Sequence, residues 1–373
     1  MRRLTRVAFN GRFSGTLEPT GTQTAAYNLF DAIIRHPDRD FSIEVFADTR
    51  FPGIDGWRSF SGITIVHVPF SEWSRGRAQL WEQLVFPSRC VARGVHLAHH
   101  PITTSPAVGT AAVPSVVTLH DVNFLTHREW YSWQFRAVYA ITALPGLRSA
   151  SAVVAVSQHV QQEAMRTLSL PARRVRQIYN GVKPLPASTQ LDDNTPPYLL
   201  CVGSFQPHKN LRRTIDAWKL VRRKRPDLEL WVVGRKQSGF RDTSDYAALL
   251  SQPGITVLGY VTEAELSRAY AGAVAFVYPS LAEGFGLPIL EAMEAGTPVV
   301  TSNSSCLPEI AGGAAKLVDP TSSESIAGAI VDVIGWTENE REAVVDRGRA
   351  RAKQFNWSTA AGAYITLYHE LTG

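Results

Sequence analysis

The chain has 373 residues, of which 45% are hydrophobic and 19% are charged. This length exceeds what one hydrophobic core usually serves, so we expect two domains. The composition excludes disordered, collagen-like and fibrous proteins. Residues 1–190 carry 20 Lys and Arg against 12 Asp and Glu, a net charge of +8, whereas the remainder carries 18 against 21, a net charge of −3. Such asymmetry fits a face that meets an anionic membrane or acceptor, and equally an ordinary solvated surface.

The three cysteines are widely spaced and form no CxxC pair, so neither a disulfide framework nor a zinc site is predicted. No run approaches the roughly 18 consecutive apolar residues that a spanning helix needs. The apolar stretch near the start is interrupted at residues 10–12, which favours a buried strand over a secretory signal. We therefore expect a cytoplasmic protein. Peripheral association with the inner face of the plasma membrane, through the basic N-terminal half, stays open.

Short β-branched runs alternate with longer amphipathic stretches along the chain, which is typical of βαβ units with parallel sheets. In the first half the predicted strands are Arg6–Asn10, Ser42–Ala47, Ile63–Pro69, Leu97–His99, Ser115–His120 and Ala152–Ser157. The predicted helices are Thr22–Arg35, Arg77–Arg93, Trp133–Leu147 and Gln158–Thr167. Residues 1–183 are therefore assigned to an N-terminal Rossmann-like domain.

A polar segment, Pro184–Pro197, is rich in Pro, Ser, Thr and Asp and is predicted to be a linker over residues 184–197. After it, the predicted strands are Tyr198–Gly203, Glu229–Gly234, Thr256–Tyr260, Ala273–Tyr278 and Pro298–Ser302. The predicted helices are Leu211–Arg225, Ala247–Ser251, Glu263–Ala271, Leu287–Ala295 and Ser323–Ile334, followed by a helical stretch over Glu338–Leu371. Residues 198–355 form the second Rossmann-like domain, and residues 356–373 a helix that could cross back to the first. Because ligands bind beyond the carboxyl ends of such strands, the expected site is a cleft between two facing domains.

The most informative segment is Glu283–Met293, EGFGLPILEAM, which follows a predicted buried strand and opens a helix. Gly284 and Gly286 let the backbone approach a ligand closely. The helix start offers free amides and a partial positive charge, which suit a diphosphate. Glu283 and Glu291 bracket this anion site and can accept hydrogen bonds from sugar hydroxyls. The alternative is a glycine turn with two solvated glutamates.

The eight-residue separation of Glu283 and Glu291 within EGFGLPILE resembles the E-x7-E signature of retaining glycosyltransferases of the GT4 family. The following segments Ala292–Val300 and Pro308–Ile310 are similar to the same family, and the resemblance covers nearly the whole chain. It implies the GT-B fold, in which two facing Rossmann-like doubly wound domains enclose a cleft. The N-terminal domain would bind the acceptor, and the C-terminal domain would bind a nucleotide-sugar donor.

The resemblance also implies roles for individual residues. Glu291 would bind the ribose hydroxyls of the donor, and Glu283 would hold hydroxyls of its sugar. The amides of Gly286 and Leu287 would meet the phosphates and the sugar. Phe285, between the two glycines, is assigned to the same donor site.

A second segment, Val202–Leu211, also follows a predicted buried strand and opens a helix. Lys209 there is a point charge suited to a phosphate oxygen, although an exposed surface lysine is the alternative. Ser204 is assigned to the donor site, but the family often has an arginine at this position after the glycine. Arg235 is a candidate replacement for that missing charge. The backbone at Gly234 is expected to contact the base.

In the first domain, Gly21 opens the first long helix and resembles the family's glycine-rich helix entry, whose amides approach the donor diphosphate. His120 ends a predicted strand and can donate or accept a hydrogen bond near neutral pH. The family's matching histidine lies beside the reacting centre of the donor sugar, while simple packing at a domain interface is the alternative. Asp121 is predicted to be structural. His99-His100 could contact an acceptor but point to opposite faces of a strand, so they cannot act as a pair.

Two further features have ordinary explanations. Asp192-Asp193 lies in the polar linker, so we predict a solvated pair rather than a D-x-D metal site. No metal or cofactor is expected besides the donor substrate. Four tryptophans could form an apolar acceptor or lipid-facing surface, but core packing is favoured for most of them: Trp73, Trp81, Trp130 and Trp133.

The expected function is metal-independent, retaining transfer of a sugar from a GDP- or UDP-sugar to an acceptor, with His120 and Glu283 as catalytic residues. Mannose or a related hexose is favoured. The acceptor is a glycan, a lipid-linked molecule or a small molecule, within bacterial polysaccharide or glycoconjugate synthesis. The alternatives are a sugar-nucleotide 2-epimerase of related fold and a non-catalytic binder of sugar nucleotides or polyanions. Nucleic-acid binding is not expected because no basic run with interleaved aromatics occurs, and the sequence leaves the oligomeric state unknown.

Overall fold

A computed structural model describes residues 5–16, 19–107, 113–186, 194–235 and 246–373. Asp192-Asp193 and part of the predicted linker lie outside the described residues. The chain divides into two compact units. Unit 1 comprises Met1–Thr126, Trp133–Gly181 and Asn356–Gly373, and unit 2 comprises His127–Ser132 and Val182–Phe355.

Unit 1 is built on a seven-stranded parallel sheet. Its strands are β1 (Arg6–Gly11), β2 (Ser42–Ala47), β3 (Ile63–His67), β4 (Leu97–His100), β5 (Ser115–Leu119), β6 (Ala152–Ala155) and β7 (Val175–Gln177). Its helices are α1 (Gly21–Arg35), α2 (Arg75–Leu80), α3 (Phe86–Ala92), α4 (Asn123–Thr126), α5 (Trp133–Ser149) and α6 (Gln158–Leu168), and the C-terminal helix, Trp357–Thr372, also lies here. The strand order is β3-β2-β1-β4-β5-β6-β7, so the chain reverses direction across the sheet between β1 and β4.

Unit 2 has a six-stranded parallel sheet of the same design. Its strands are β8 (Tyr198–Val202), β9 (Glu229–Val233), β10 (Ile255–Gly259), β11 (Ala275–Tyr278), β12 (Val299–Ser302) and β13 (Lys316–Val318). Its helices are α7 (Leu211–Arg222), α8 (Tyr246–Leu250), α9 (Glu263–Ala271), α10 (Leu287–Glu294), α11 (Leu307–Ala311), α12 (Ser323–Ile334) and α13 (Glu338–Ala352), which leaves α14 for the C-terminal helix of unit 1. The order β10-β9-β8-β11-β12-β13 places the reversal between β8 and β11.

The predicted strands and helices are present, with most ends shifted by one to three residues. The predicted helix Arg77–Arg93 is instead α2 and α3 joined by a π-helical turn over Trp81–Val85. The predicted stretch Glu338–Leu371 breaks into α13 and α14, because Asn356 has an extended backbone and its side chain accepts a hydrogen bond from the Thr359 amide. The short elements β7, β13, α4 and α11 were not predicted.

Helix α14 is bound to unit 1 through a buried polar contact with the sheet. The hydroxyl of Tyr368 lies 2.5 Å from Nδ1 of His99, and His99 Nε2 lies 2.9 Å from the hydroxyl of Thr118. The Tyr364 ring stacks on His99. The last helix of the sequence therefore completes the core of the first unit.

Three further observations concern the described part of the chain. No helix there is long and apolar enough to cross a membrane. No group of three or more His, Cys, Asp or Glu side chains there is arranged to hold a metal ion. Cys90, Cys201 and Cys306 are buried and free.

Candidate functional site

The reversal between β8 and β11 brings together the two segments that the sequence singles out. The chain leaves β8 toward β9 on one side and leaves β11 toward β12 on the other. Connections that diverge in this way open a crevice beyond the carboxyl ends of the two central strands. Lys209 follows β8 and Glu283 follows β11, so both lie at this crevice.

Lys209 and Glu283 are in direct contact. Nζ of Lys209 lies 2.7 Å from Oε1 of Glu283, and their side chains are 20% and 11% exposed. Tyr278, the last residue of β11, joins them, because its hydroxyl accepts a hydrogen bond from Lys209 Nζ at 2.6 Å and donates to Glu283 Oε1 at 2.8 Å. The result is a mostly buried charged triad with some access to solvent.

The backbone after β8 holds Lys209 in place. Residues Pro207–Lys209 form a 3-10 turn, and Asn210 ends it with a left-handed backbone, φ 59°. The buried Asn210 amide donates to the carbonyl oxygens of Pro279 at 2.8 Å and Pro320 at 2.7 Å. Asparagine tolerates the left-handed conformation better than most residues. It therefore fixes the lysine turn to the segments that follow β11 and β13.

The electrostatics of the triad keep Glu283 ionised. Burial raises the pKa of the Glu283 carboxyl, but the charge of Lys209, together with a hydrogen bond from Lys209, outweighs it and leaves the pKa below its usual value. Burial, reinforced by the Glu283 charge, raises the pKa of Tyr278 well above its usual value. At neutral pH the triad thus combines an ammonium, a neutral phenol and a carboxylate. The ammonium can bind a phosphate, and the carboxylate can accept hydrogen bonds from sugar hydroxyls.

The glycine segment before α10 has a strict local geometry. Gly286 has a positive φ of 90°, and a Cβ there would lie 2.7 Å from a methyl group of Leu307. The left-handed conformation therefore favours glycine here. Leu287 opens α10, and Phe285 is buried with its ring edge-to-face to Phe355. The amide of Glu283 donates to the Ser305 hydroxyl at 3.1 Å, which holds the start of the segment.

Glu291 lies on α10 and has a different partner. Its Oε2 accepts a hydrogen bond from the Tyr270 hydroxyl at 3.0 Å. Burial raises the pKa of the Glu291 carboxyl, although the bond from Tyr270 opposes this. The structure thus brings Lys209 and Glu283 into contact, while Glu291 is paired with α9.

The ends of β8 and β9 form the other side of the crevice. Gly234 has φ 142°, and a Cβ there would lie 2.0 Å from the carbonyl oxygen of Gly203, so this glycine is required by packing alone. Ser204 and Lys209 are among the residues that line a shallow pocket here. The guanidinium of Arg235 lies over the Tyr260 ring at 5.8 Å. Its role as a replacement phosphate ligand stays a prediction.

In unit 1, Gly21 and His120 both follow central strands. Gly21 opens α1, is exposed, and a Cβ there would meet no atom within 4 Å. Nothing in unit 1 therefore requires glycine at this position, which is compatible with close approach of a ligand. Burial lowers the pKa of His120, and its Nε2 lies 2.8 Å from the carbonyl oxygen of Pro101. Since a carbonyl only accepts, the neutral ring carries its proton on Nε2 and presents Nδ1 as an acceptor.

The reversal between β1 and β4 is occupied by a polar network of the chain itself. Fully buried Glu82 accepts a hydrogen bond from Asn10 Nδ2 at 2.6 Å and forms an ion pair with Arg12 at 3.2 Å. Asn10 Nδ2 also lies 3.0 Å from Nδ1 of His100. His99 and His100 point to opposite faces, as expected, and both are buried. Their proposed contact with an acceptor is therefore not supported.

The four tryptophans separate by environment. Trp73 and Trp81 pack against a core cluster of unit 1. Trp130 is buried in unit 2, where its ring stacks on His127 at 4.0 Å and lies 5.5 Å from the ring of His208. Trp133 is 72% exposed. Core packing is thus confirmed for three of the four.

Four contact residues of the site were missed from the sequence: Tyr278, Asn210, Ser305 and Tyr270. A usable signal existed for two of them. Tyr278 ends a predicted strand at the same edge as Lys209, and Asn210 follows the lysine at a helix start, where a left-handed asparagine is common. Ser305 and Tyr270 reach the site through packing of distant segments and leave no local signal.

Comparison with known proteins agrees with this geometry. Residues 19–184 match the family model described as Glycosyltransferase Family 4, and residues 187–351 match that of Glycosyl transferases group 1. The chain is 34% identical over 274 residues to O-antigen chain mannosyltransferase B of Escherichia coli, covering 68% of this chain and 70% of that protein. The chain belongs to glycosyltransferase family 4.

Solved structures of the same architecture extend the match to nearly the whole chain. Sucrose-phosphate synthase from Thermosynechococcus elongatus has a TM-score of 0.76 at 18% identity, covering 98% of this chain and 99% of that one. Anabaena HepE, solved in complex with UDP-glucose, has a TM-score of 0.70 at 18% identity, covering 98% and 99%. The predicted GT-B fold class, with two parallel-sheet α/β domains, is confirmed. This family 4 chain is a glycosyltransferase, so the epimerase and non-catalytic alternatives are set aside.

Proposed function

We propose that this glycosyltransferase moves mannose, or a related hexose, from a nucleoside diphosphate donor to a growing bacterial polysaccharide, with retention of anomeric configuration. The observation that carries the proposal is the Lys209–Tyr278–Glu283 triad at the crevice between β8 and β11. The mannosyl and polysaccharide assignments rest on the relative from Escherichia coli, an O-antigen chain mannosyltransferase.

In this proposal the donor diphosphate binds to unit 2. Its leaving group gains negative charge as the glycosidic bond breaks, and stabilising that charge is the main catalytic task. Lys209 supplies a compact positive charge, and the amides of Gly286 and Leu287 at the start of α10 supply donors. No metal ion is needed for this step. Because Lys209 is paired with Glu283 in the free protein, the incoming phosphate replaces that carboxylate as its partner.

The two glutamates then bind hydroxyl groups. Glu283, held ionised beside Lys209, accepts hydrogen bonds from the donor sugar. Glu291, fixed by Tyr270, accepts from the ribose. The backbone at Gly234 contacts the base, with Ser204 and Phe285 completing the donor site. On unit 1, the amide of Gly21 approaches the diphosphate, and Nδ1 of His120 accepts a hydrogen bond from a sugar hydroxyl.

The donor is a GDP-sugar, with GDP-mannose first. UDP-sugars are the second candidate because the similar Anabaena protein was solved with UDP-glucose. A thermal-shift screen against GDP-mannose, UDP-glucose, GDP and UDP separates the two. The true donor raises the melting temperature by mass action, while unrelated nucleotides do not. A shift with UDP-sugars alone would exclude the GDP assignment.

Transfer itself is tested with labelled GDP-mannose and a mannose-containing oligosaccharide acceptor. We expect Glu283→Gln to lose most transfer while its melting temperature stays near that of the parent. Glu342→Gln is the matched control in unit 2, because Glu342 is an exposed side chain of α13. NMR of the product reports the anomeric configuration. Unchanged turnover of the Glu283 variant would refute its role, and an inverted product would refute retention.

The acceptor in this proposal is a lipid-linked glycan, and the chain associates peripherally with the membrane that carries it. The support is the charge of residues 1–190, which hold 20 basic and 12 acidic residues. Clustered positive charge attracts a protein to anionic lipid. Flotation of the protein with vesicles that contain anionic lipid tests this association, and its absence would remove the membrane from the proposal.

A further inference from the structure

The helical stretch formed by α2, the π turn and α3 has one face packed on unit 1. Buried residues recur every fourth position along it: Ala78, Glu82, Phe86 and Cys90. Because the π turn has more residues per turn than an α-helix, side chains four residues apart stay on the same side of the stretch. The opposite side of the stretch therefore faces solvent along its whole length.

That outer face carries large aliphatic side chains. Leu80 is 62% exposed, Leu84 is 68% exposed and Val91 is 55% exposed. Soluble surfaces usually place charged or polar side chains on the outer face of a helix. A row of exposed aliphatic residues on one helix face indicates a surface that another phase or partner covers.

Arginines flank the aliphatic row. Arg75, Arg77 and Arg89 are exposed, and among the described residues none of the three forms an ion pair. The only acidic residue of the stretch is Glu82, which is buried beside Arg12. The outer face is thus aliphatic in the middle and positive at its ends.

A second exposed apolar patch lies on α5 of the same unit. Trp133 is 72% exposed and Ile141 is 70% exposed. The helical stretch and α5 both contact one segment of unit 1: Gln83 Nε2 donates to the carbonyl oxygen of Ser105 at 3.0 Å, and a Cβ at Gly146 of α5 would lie 2.9 Å from that same oxygen.

We propose that the outer face of this helical stretch is a membrane-docking surface, defined by Arg75, Arg77, Leu80, Leu84, Arg89 and Val91, that binds an anionic lipid leaflet. Interfacial helices have this composition, with aliphatic side chains buried at the level of the headgroups and arginines at the phosphates. The charge selects anionic lipid, because each basic residue near such a leaflet contributes about 1 kcal/mol. The inference rests on the lipid-linked acceptor proposed above and names the part of the chain that meets the lipid.

The test is co-sedimentation with vesicles of phosphatidylethanolamine and phosphatidylglycerol, compared with phosphatidylcholine alone. We expect binding to the anionic vesicles only, weakened by salt. Arg75→Gln with Arg77→Gln should weaken it about 30-fold, at about five-fold per charge. Leu80→Ser with Leu84→Ser should weaken it by about ten-fold or more, because two leucine side chains lose their apolar contact.

The controls lie in unit 2. Arg223→Gln with Lys224→Gln removes two exposed charges of α7's end, and Val331→Ser removes an aliphatic side chain that is 51% exposed. Both should bind vesicles like the parent. Equal weakening by the control and docking-surface variants would overturn the assignment of the surface, and so would unweakened binding of the docking-surface variants.

Two further readouts separate this inference from its rivals. Transfer to a water-soluble oligosaccharide should be unchanged in the docking variants, so loss of vesicle binding with intact transfer leaves the proposed function standing. Mass photometry of the Leu80 and Leu84 double variant tests a second copy as the occupant. An oligomer that dissociates on this substitution would overturn the membrane assignment in favour of self-association.

Discussion

The two sheets share the order of their first six strands, yet the crevices at their reversal points differ. In unit 2, Lys209 and Glu283 meet beyond β8 and β11 with side chains still partly exposed. In unit 1, the equivalent point between β1 and β4 is closed by Glu82, which is fully buried and paired with Arg12. Both points hold an acid and a base. The two bases are similarly exposed, at 17% for Arg12 and 20% for Lys209, whereas the acids differ, at 0% for Glu82 and 11% for Glu283.

The difference shows that topology makes a crevice but does not make it a binding site. An ion pair with access to solvent can be displaced by a charged ligand, since water and the ligand replace the lost contacts. A buried pair cannot lose a partner without leaving an uncompensated charge. We therefore expect substitutions at the unit 2 pair to change activity and substitutions at the unit 1 pair to change stability.

The largest effect is expected for the Lys209→Ala variant, in its rate of sugar transfer. Removing one group that stabilises developing charge typically costs about 10²- to 10³-fold in rate. We expect kcat/KM to fall by that factor while the protein stays folded. Lys316→Ala is the matched control, because Lys316 pairs with Asp332 on the surface of unit 2. Activity of the Lys209 variant within a few-fold of the parent would contradict the phosphate role.

Next in size is the loss of stability in Glu82→Gln. The change leaves the Arg12 charge without its partner, and breaking a buried pair costs about 3 kcal/mol or more. Urea unfolding, followed by labelling of the buried Cys90 thiol, measures this loss for unit 1. Glu72→Gln is the control, since Glu72 is exposed and paired with Arg50. A cost below about 1 kcal/mol would mean that the unit 1 pair is as replaceable as the other.

Acid sharpens the comparison because unit 1 holds more buried neutral histidines. Burial, followed by the charge of Arg12, lowers the pKa of His100 to about 3, and burial also lowers the pKa of His99. Below the ordinary histidine pKa of about 6.5, the unfolded chain binds protons that the folded unit does not. The free energy of unfolding therefore decreases as the pH is lowered from about 6.5 to about 3. Between pH 6.5 and pH 5, His100 alone accounts for a decrease of about 2 kcal/mol.

Thiol labelling measures the pH dependence of unfolding separately for each unit. In urea titrations at pH 7 and pH 5, with a disulfide reagent active in acid, the midpoint for Cys90 should fall more than that for Cys201 or Cys306 in unit 2. Unit 2 has one comparable group, His208, whose pKa burial lowers to about 4. The variant His100→Gln should reduce the pH dependence of unit 1. Equal shifts for all three thiols would contradict the difference between the units.

The smallest effect is expected for Tyr278→Phe, which removes only the hydroxyl between Lys209 and Glu283. Two hydrogen bonds that align the pair are lost, at about 1 kcal/mol in the donor complex. We expect about a five- to ten-fold fall in kcat/KM. Tyr198→Phe is matched, because its buried hydroxyl donates to the carbonyl oxygen of Ala269 at 2.8 Å, away from the pair. An equal fall in both variants would reduce Tyr278 to a packing role.

Local patterns in the sequence predicted a large part of this molecule. Periodicity placed the strands and helices, and the segments around Lys209 and Glu283 carried enough local chemistry to indicate the family and the donor site. These predictions succeed because helix starts, glycine turns and strand periodicity involve residues close together in the chain. The exact ends, the π turn beside Glu82 and the break before α14 depend on packing and were wrong or missed.

The contacts that define the site were decided by tertiary structure. Lys209 meets Glu283 because β8 and β11 are neighbours in the sheet, although 74 residues separate the two side chains in sequence. The short segment His127–Ser132 belongs to unit 2, and α14 belongs to unit 1, which no local pattern reports. Burial has the same origin: Glu82 and Glu283 look alike in sequence, and only long-range packing makes one a closed structural charge and the other an accessible one.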